Sequence, residues 1–402
     1  MFRPPSGRYG KVSRLAKSGL TVLQVIPELA AGGAERTTLE IVEALKATGG
    51  RAIVVSEGGR MEDELKALGG ELVRLPVKSK SPLTIRRNAN AIAELIRQEN
   101  IDIVHARSRA PAWSALWAAR RTNTPFVTTY HGSYGGKSAP KKLYNSVMAR
   151  GDIVIANSDF IADHVRNTHK IDNDRLVTIH RGVDTEAFAP DRVDPQKVAA
   201  LRHSLAGDAD YLLLLPGRLT DWKGQMVLID ALEGVMKTRS VSLIAQLVGD
   251  AQGRDAYVSA LKTRIHEAGL DEFVMISGHY SDMPTLLAAS DLVLAPSTRP
   301  EAFGRIAIEA GAMGKPVIVS DHGGQRETVL PGQTGWLVEP GNAAALQSAI
   351  EGFLALSDET RQSMGAEARK YVLSRFTKSA LQEATLNVYS RLLDREALTA
   401  NG

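Results

Sequence analysis

From residue 20 onward the chain alternates short, almost unbroken apolar runs with longer amphipathic stretches. The runs TVLQVIP, AIVVS, ELVRLP, IDIVHA, FVTTYH, DIVIANS and LVTIH read as strands, while the stretches through TTLEIVEAL and NAIAELIRQ carry helical periodicity. Strands that are apolar at nearly every position are buried on both faces, as in parallel sheets covered by helices. Residues 186–200, EAFAPDRVDPQKVAA, interrupt this rhythm with two prolines. A second series follows: YLLLLPG, SLIAQLVG, FVMISG, LVLAPS, PVIVS and GWLVEP. The pattern predicts an α/β protein of two doubly wound domains, residues 20–187 and 188–377, facing each other across a cleft. The periodic segment KSALQEATLNVYSRLL, residues 378–393, forms a last helix.

Composition narrows the class. A chain of 402 residues, 44% hydrophobic, supplies each predicted domain with enough material for its own core. The absence of cysteine excludes disulfides and thiolate chemistry and fits a reducing, cytoplasmic setting. The N-terminal apolar run is broken by Gln24, Pro27 and Glu28, so it reads as a first strand and not as a signal peptide. No run approaches the roughly 18 apolar residues that span a membrane. The net charge of +4 conceals an asymmetry: 28 Lys and Arg against 19 Asp and Glu up to residue 190, then 21 against 26. Arg3, Arg8, Lys11, Arg14 and Lys17 occupy a leader, residues 1–19, that carries no acid. A basic first half would attract an anionic acceptor or an anionic membrane surface, or would simply be a solvated face. Nucleic acid is not an expected partner, because no recognised binding motif accompanies the charge.

The densest chemistry lies in PEAFGRIAIEAGAMGKPVIVSDHGG, residues 300–324. Glu301 precedes a predicted helix and Glu309 lies inside it, roughly 7 Å along the axis at 1.5 Å per residue, so the two acids face different parts of one ligand. Between them Ala302, Phe303, Gly304 and Arg305 offer backbone N–H groups at a helix N-terminus, which suits a diphosphate. Spacing alone fits an ordinary surface helix equally well. The flanking strands SDLVLAPS and KPVIVSD favour a ligand, since they place the turn at the carboxyl edge of a parallel sheet.

These residues resemble the retaining family-4 glycosyltransferases of the GT-B fold, whose C-terminal domain carries a glutamate, seven residues and a second glutamate. The resemblance extends over PGRLTDWKG (216–224), LVGDA (247–251), SGHYSDMPTLLAASDLVLAPS (277–297), GQTGWLVEPGN (332–342) and, in the first half, VIPELAAGGAE, TTYHG and IHRGVD. It implies two Rossmann-like domains, the first for the acceptor and the second for a UDP- or GDP-sugar, with the last helix crossing back to the first domain. Arg218 and Lys223 would then grip the diphosphate, Glu301 would orient the sugar and Glu309 would hold the ribose. His131 would touch the donor sugar, Gly32 and Gly33 would let the backbone approach the phosphate, and Gly278, His279 and Tyr280 would border the base. Phe303, Gly304 and Arg305 would complete the donor site, and His105, Arg107 and Asn157 would line the acceptor side. Position 302 is Ala where the family frequently has Gly.

The resemblance further implies retention by front-face attack, with no covalent nucleophile and no cofactor beyond the nucleotide sugar. The acceptor would be a cell-envelope glycan, of lipopolysaccharide type or linked to lipid, which makes the inner face of the cytoplasmic membrane a candidate location. A transferase on a small soluble acceptor, a nucleotide-sugar epimerase of the same fold and a non-catalytic two-domain sugar-binding protein are the rival readings. Two Asp-x-Asp triplets, at 172–174 and 208–210, have metal-binding letters but lie in polar loop sequence, so no metal is expected. Trp113 and Trp117, four apart on a helix predicted to begin after Pro111, either pack internally or join Lys137, Lys141 and Lys142 at a membrane.

Overall fold

The computed structural model describes residues 19–30, 32–136, 138–238 and 240–400, with side chains through 394. The basic leader through Lys17 and the predicted membrane contact Lys137 lie outside the described residues. One sheet contains β1 (Thr21–Val25), β2 (Arg51–Ser56), β3 (Glu71–Arg74), β4 (Ile103–Ala106), β5 (Phe126–Tyr130), β6 (Ile153–Ala156) and β7 (Leu176–Thr178), in the order β3-β2-β1-β4-β5-β6-β7. The other contains β8 (Tyr211–Pro216), β9 (Leu243–Val248), β10 (Val274–Ser277), β11 (Leu292–Ala295), β12 (Val317–Ser320) and β13 (Gly335–Val338), in the order β10-β9-β8-β11-β12-β13. β1 and β4, like β8 and β11, pair in parallel. The central strands β4, β11 and β12 are buried at every position, which is why the sequence shows them as mostly apolar runs, with His105 in β4 and Ser320 in β12 as buried polar positions.

Both orders reverse once, between β1 and β4 and between β8 and β11. At such a switch point the connecting segments leave in opposite directions and open a crevice at the strands' carboxyl ends. The loops there begin at Ile26, Arg107, Gly217 and Pro296 and carry Arg107, Arg218, Lys223 and Glu301.

By packing, the chain divides into two compact units. The first takes the described residues up to 128, residues 150–153 and those from 382 on; the second takes 129–149 and 154–381. In the first unit Gln382, on the long helix Lys378–Ala400, donates from Nε2 to the Glu40 carbonyl (2.8 Å) and to the Glu43 carboxylate (3.0 Å). One helix differs from expectation: it spans Arg109–Thr122, so Pro111 stands in its first turn and not before it. Proline is tolerated there because first-turn N–H groups have no intrahelical acceptor.

Candidate active site

The loop after β8 is shaped by glycines. Gly224 has φ +82°, and a Cβ on it would lie 2.1 Å from the Pro296 carbonyl oxygen; a Cβ on Gly249 would lie 1.8 Å from that of Gly217. Only bare backbone permits the loop after β8 to press against the loop after β11, where the Trp222 carbonyl also accepts the Thr298 N–H at 2.8 Å. This approach brings Lys223 Nζ to Glu301 Oε1 at 2.7 Å, with the ammonium 4.7 Å above the Trp222 ring. Arg218, on the same loop, is exposed, and its guanidinium has no hydrogen-bond or ion-pair partner among the described residues.

Glu301 is held asymmetrically. Oε1 accepts Lys223 Nζ, the Ser297 hydroxyl and, at 3.4 Å, Gln325 Nε2, while Oε2 takes no donor among the described residues. Ser297 and Gln325 are fully buried, and Gln325 Nε2 also reaches the Ala295 carbonyl at 3.1 Å. His322 Nε2 donates to the Ser297 carbonyl at 2.8 Å, and burial pushes its pKa below the ordinary histidine value. The backbone of the turn is clasped by Gly323 and Gly324: Gly324 N–H donates to the Glu301 carbonyl at 2.9 Å, and a Cβ on Gly324 would lie 2.3 Å from the Ala302 carbonyl. Gly304, at φ +102°, turns the chain into the helix Arg305–Ala312. The amides of Ala302, Phe303 and Gly304 have no acceptor among the described residues and remain available to an anion.

The remaining donor-side residues divide. Arg305 Nε bonds Glu309 Oε1 at 3.2 Å, so this cation and the second glutamate form a mutual pair that sequence spacing did not reveal. The Phe303 ring is only 2% exposed, packed against His180 and Phe376, so this residue can offer a ligand nothing but its backbone. Gly278 and His279 are exposed beyond β10, and Tyr280 is half-buried. Gly32 and Gly33 open the helix Gly33–Ala47, where a Cβ on Gly32 would meet the Glu35 carboxylate at 2.5 Å.

His131, just past β5, bonds through Nδ1 to Arg181 Nη2 at 2.8 Å. A guanidinium only donates, so Nδ1 accepts and the ring proton sits on Nε2. The IHRGVD motif was legible, yet nothing in it pointed Arg181 at a histidine 50 positions earlier. His180, next to Arg181, bonds through Nε2 to Glu327 (2.9 Å), which also accepts the Asp159 and Phe160 amides (2.9 and 2.8 Å). Asp159, His180 and Glu327 are close enough to hold a cation. Their hydrogen bonds instead cap the helix Asp159–His169, whose N-terminus Ser158 also caps. The triplets at 172–174 and 208–210 have exposed aspartates.

In the first unit His105 and Arg107 are buried, not surface-lining. His105 Nδ1 bonds the Tyr389 hydroxyl at 2.6 Å, and Arg107 Nε donates to Gln24 Oε1 at 2.7 Å. Burial pushes His105 well below its ordinary pKa and Tyr389 up to about 12. The cluster therefore stays neutral at the histidine and phenol and ties the last helix to β4. Tyr389→Phe is expected to lower stability by about 1–3 kcal/mol, the usual cost of an orphaned buried polar group, read as a shift of the urea midpoint. An unchanged midpoint would remove the cluster's structural role. Asn157, after β6, is buried with neither amide atom partnered among the described residues. Lys141 and Lys142 are exposed on the helix Ala139–Ser146 of the second unit.

Comparison with known proteins identifies the family. The family model for Glycosyltransferase Family 4 matches residues 31–187, and that for Glycosyl transferases group 1 matches 200–371. A D-inositol 3-phosphate glycosyltransferase of Jonesia denitrificans is 30% identical over 309 residues, 72% of either chain. A GDP-mannose-dependent monoacylated alpha-(1-6)-phosphatidylinositol monomannoside mannosyltransferase of Corynebacterium glutamicum is 28% identical, covering 80% of this chain and 84% of that one. Among solved structures, a glycosyltransferase of Rickettsia africae ESF-5 is 37% identical with TM-score 0.87, over 94% of this chain and 99% of that one. Alr3699/HepE of Anabaena in complex with UDP-glucose is 25% identical with TM-score 0.80, over 92% of this chain and all of the other. With both family models matched in order over most of its length and two parallel, Rossmann-like sheets, the chain belongs to the family-4, group 1 glycosyltransferases of the GT-B fold.

Proposed function

We propose that this glycosyltransferase moves a hexose-type sugar from a UDP- or GDP-sugar, with retention and without metal, to a cell-envelope glycan or lipid-linked acceptor at an anionic membrane surface. The observation that carries the reading is the convergence of Lys223, Glu301 and a row of free amides where β8 and β11 part. As the glycosidic bond breaks, negative charge grows on the departing diphosphate, and the transition state is favoured by cations and dipoles already aimed at it. Lys223 keeps donors to spare after bonding Glu301, Arg218 supplies a free fork, and the amides of Ala302 to Gly304 supply the helix-end dipole. Oε2 of Glu301 accepts from sugar hydroxyls, Nε2–H of His131 donates to the sugar, and Glu309 holds the ribose. The acceptor proton passes to the leaving phosphate oxygen, so no enzyme nucleophile is required. Residues 20–187 with the last helix serve the acceptor, and 188–377 the donor.

Support for a phosphate-bearing acceptor comes from the two relatives named above, one acting on an inositol phosphate and the other on a phosphatidylinositol mannoside; of the two, only the second favours a lipid-linked acceptor. No described helix is long and apolar enough to cross a membrane. A panel of nucleotide sugars scored for nucleotide release, with Glu301→Ala and Lys223→Ala as controls, tests the reading. Equal release by all three proteins on every donor would count against it. Turnover in EDTA is expected to match turnover in buffer, since Lys223, Arg218 and the free amides would supply the positive charge that a divalent ion otherwise brings. Loss of activity in EDTA, restored by Mg²⁺ or Mn²⁺, would reverse that expectation. Anomeric proton spectra of the product check retention.

A further inference from the structure

The helices Pro82–Gln98 and Arg109–Thr122 lie side by side in the first unit. The Ser114 hydroxyl donates to the Ile85 carbonyl at 3.1 Å, and Arg121 Nη1 donates to Asn90 Oδ1 at 2.5 Å, so the pair forms one fixed platform. Ile85, Ala89, Ile92 and Ile96 face the core. The opposite face shows Leu83, Arg86, Arg87 and Asn90, at spacings i, i+3, i+4 and i+7, beside Trp117, Arg120 and Arg121 at i, i+3 and i+4. Arg86, Trp117, Arg120 and Arg121 line an open groove of about 470 Å³.

Two features of this face are unusual together. It is cationic with little compensation: Arg86 and Arg87 form no ion pair among the described residues, and Arg120 bonds Asp152 at 2.7 Å. The helix Arg109–Thr122 carries no acid, and the first on its neighbour is Glu94. It is also apolar where solvent reaches it. Leu83 is 72% exposed and Trp117 is 38% exposed, its ring edge-on to Trp113 at 6.1 Å. A free polyanion would use the arginines and leave Leu83 and Trp117 idle. A bilayer of anionic lipid uses both, because headgroup phosphates meet the guanidinium forks while leucine and indole enter the interface.

We infer that this arginine and tryptophan face docks the enzyme onto an anionic lipid bilayer. The inference rests on the proposed membrane-borne acceptor and names the surface that reaches it. Each arginine near such a surface strengthens binding about fivefold.

Co-sedimentation of the full chain with vesicles of phosphatidylcholine alone, and of an equal mixture with phosphatidylglycerol, tests it. Wild type should partition onto the mixed vesicles. Arg86→Glu/Arg121→Glu should lower the partition coefficient more than about tenfold at low salt. Leu83→Ser/Trp117→Ser should weaken binding even at high salt, where surface charge is screened. Nucleotide release from the donor with a soluble acceptor should be unchanged in both variants, which reports intact folding and separates failure of the docking face from failure of the transferase reading. Wild-type partitioning that the charge reversals leave intact would place the docking surface elsewhere and overturn the inference. So would no wild-type binding, equal binding to neutral vesicles, or an effect of the reversals confined to a soluble anionic polysaccharide.

Discussion

Glu301→Gln is expected to lower kcat/KM by about 10²-fold on the best donor sugar while leaving the affinity for the free nucleoside diphosphate nearly unchanged. The expectation follows from how the carboxylate is held. Lys223, Ser297 and Gln325 all donate to Oε1, so the glutamine variant can keep its carbonyl oxygen there and satisfy the same internal partners. Its NH₂ then replaces Oε2, the one atom that takes no internal donor. On the proposed role, an acceptor of hydroxyl hydrogen bonds thereby becomes a donor at the end assigned to the sugar. A hydrogen bond to a charged acceptor contributes about 1.5–3 kcal/mol, and a site built for a hydroxyl discriminates strongly when the match is lost. The nucleotide portion lacks the sugar and does not feel the exchange. Steady-state kinetics beside calorimetric titration of UDP and GDP separate the two effects. A variant that loses nucleotide affinity and turnover in proportion would show that Glu301 acts through the diphosphate and not through the sugar.

The sequence could point to this candidate centre because its residues follow the ends of strands. A parallel strand buried on both faces is mostly apolar, so the polar segment after it stands out; Arg218 and Lys223 follow β8, His131 follows β5 and Glu301 follows β11. What it did not disclose are pairings over long separations. Ser297, Gln325 and His322 hold Glu301, yet each is an unremarkable polar residue in its own segment. Arg181 selects the tautomer of His131 across 50 positions, and Tyr389 binds His105 across 284. Burial was equally opaque: Phe303 and Arg107 occupy motif positions that suggest contact with ligand, but the ring of one and the guanidinium of the other are inside. Periodicity tells which face of a helix is covered; it does not tell which loop residue a neighbouring loop will cover.

Removing the cation has a consequence of a different kind. Lys223→Met is expected to reduce kcat by roughly 10²–10³-fold, with a smaller rise in KM, because the charge it is proposed to neutralise is larger in the transition state than in the bound donor. Methionine approximates the length of the lysine stem and removes the ammonium that lies over Trp222, so the backbone contacts of the loop after β8 are left in place. Glu301 would retain Ser297 and Gln325 as partners and stay in place. Arginine at the same position is expected to rescue little: its fork is longer and planar, whereas the space between the Trp222 ring and Glu301 Oε1 suits a compact ammonium. The two substitutions act on one ion pair, so Lys223→Met/Glu301→Gln should cost less than the sum of the single losses. Full additivity in that cycle would mean that the lysine and the glutamate serve the reaction independently, and the contact between them at 2.7 Å would then belong to the resting enzyme alone.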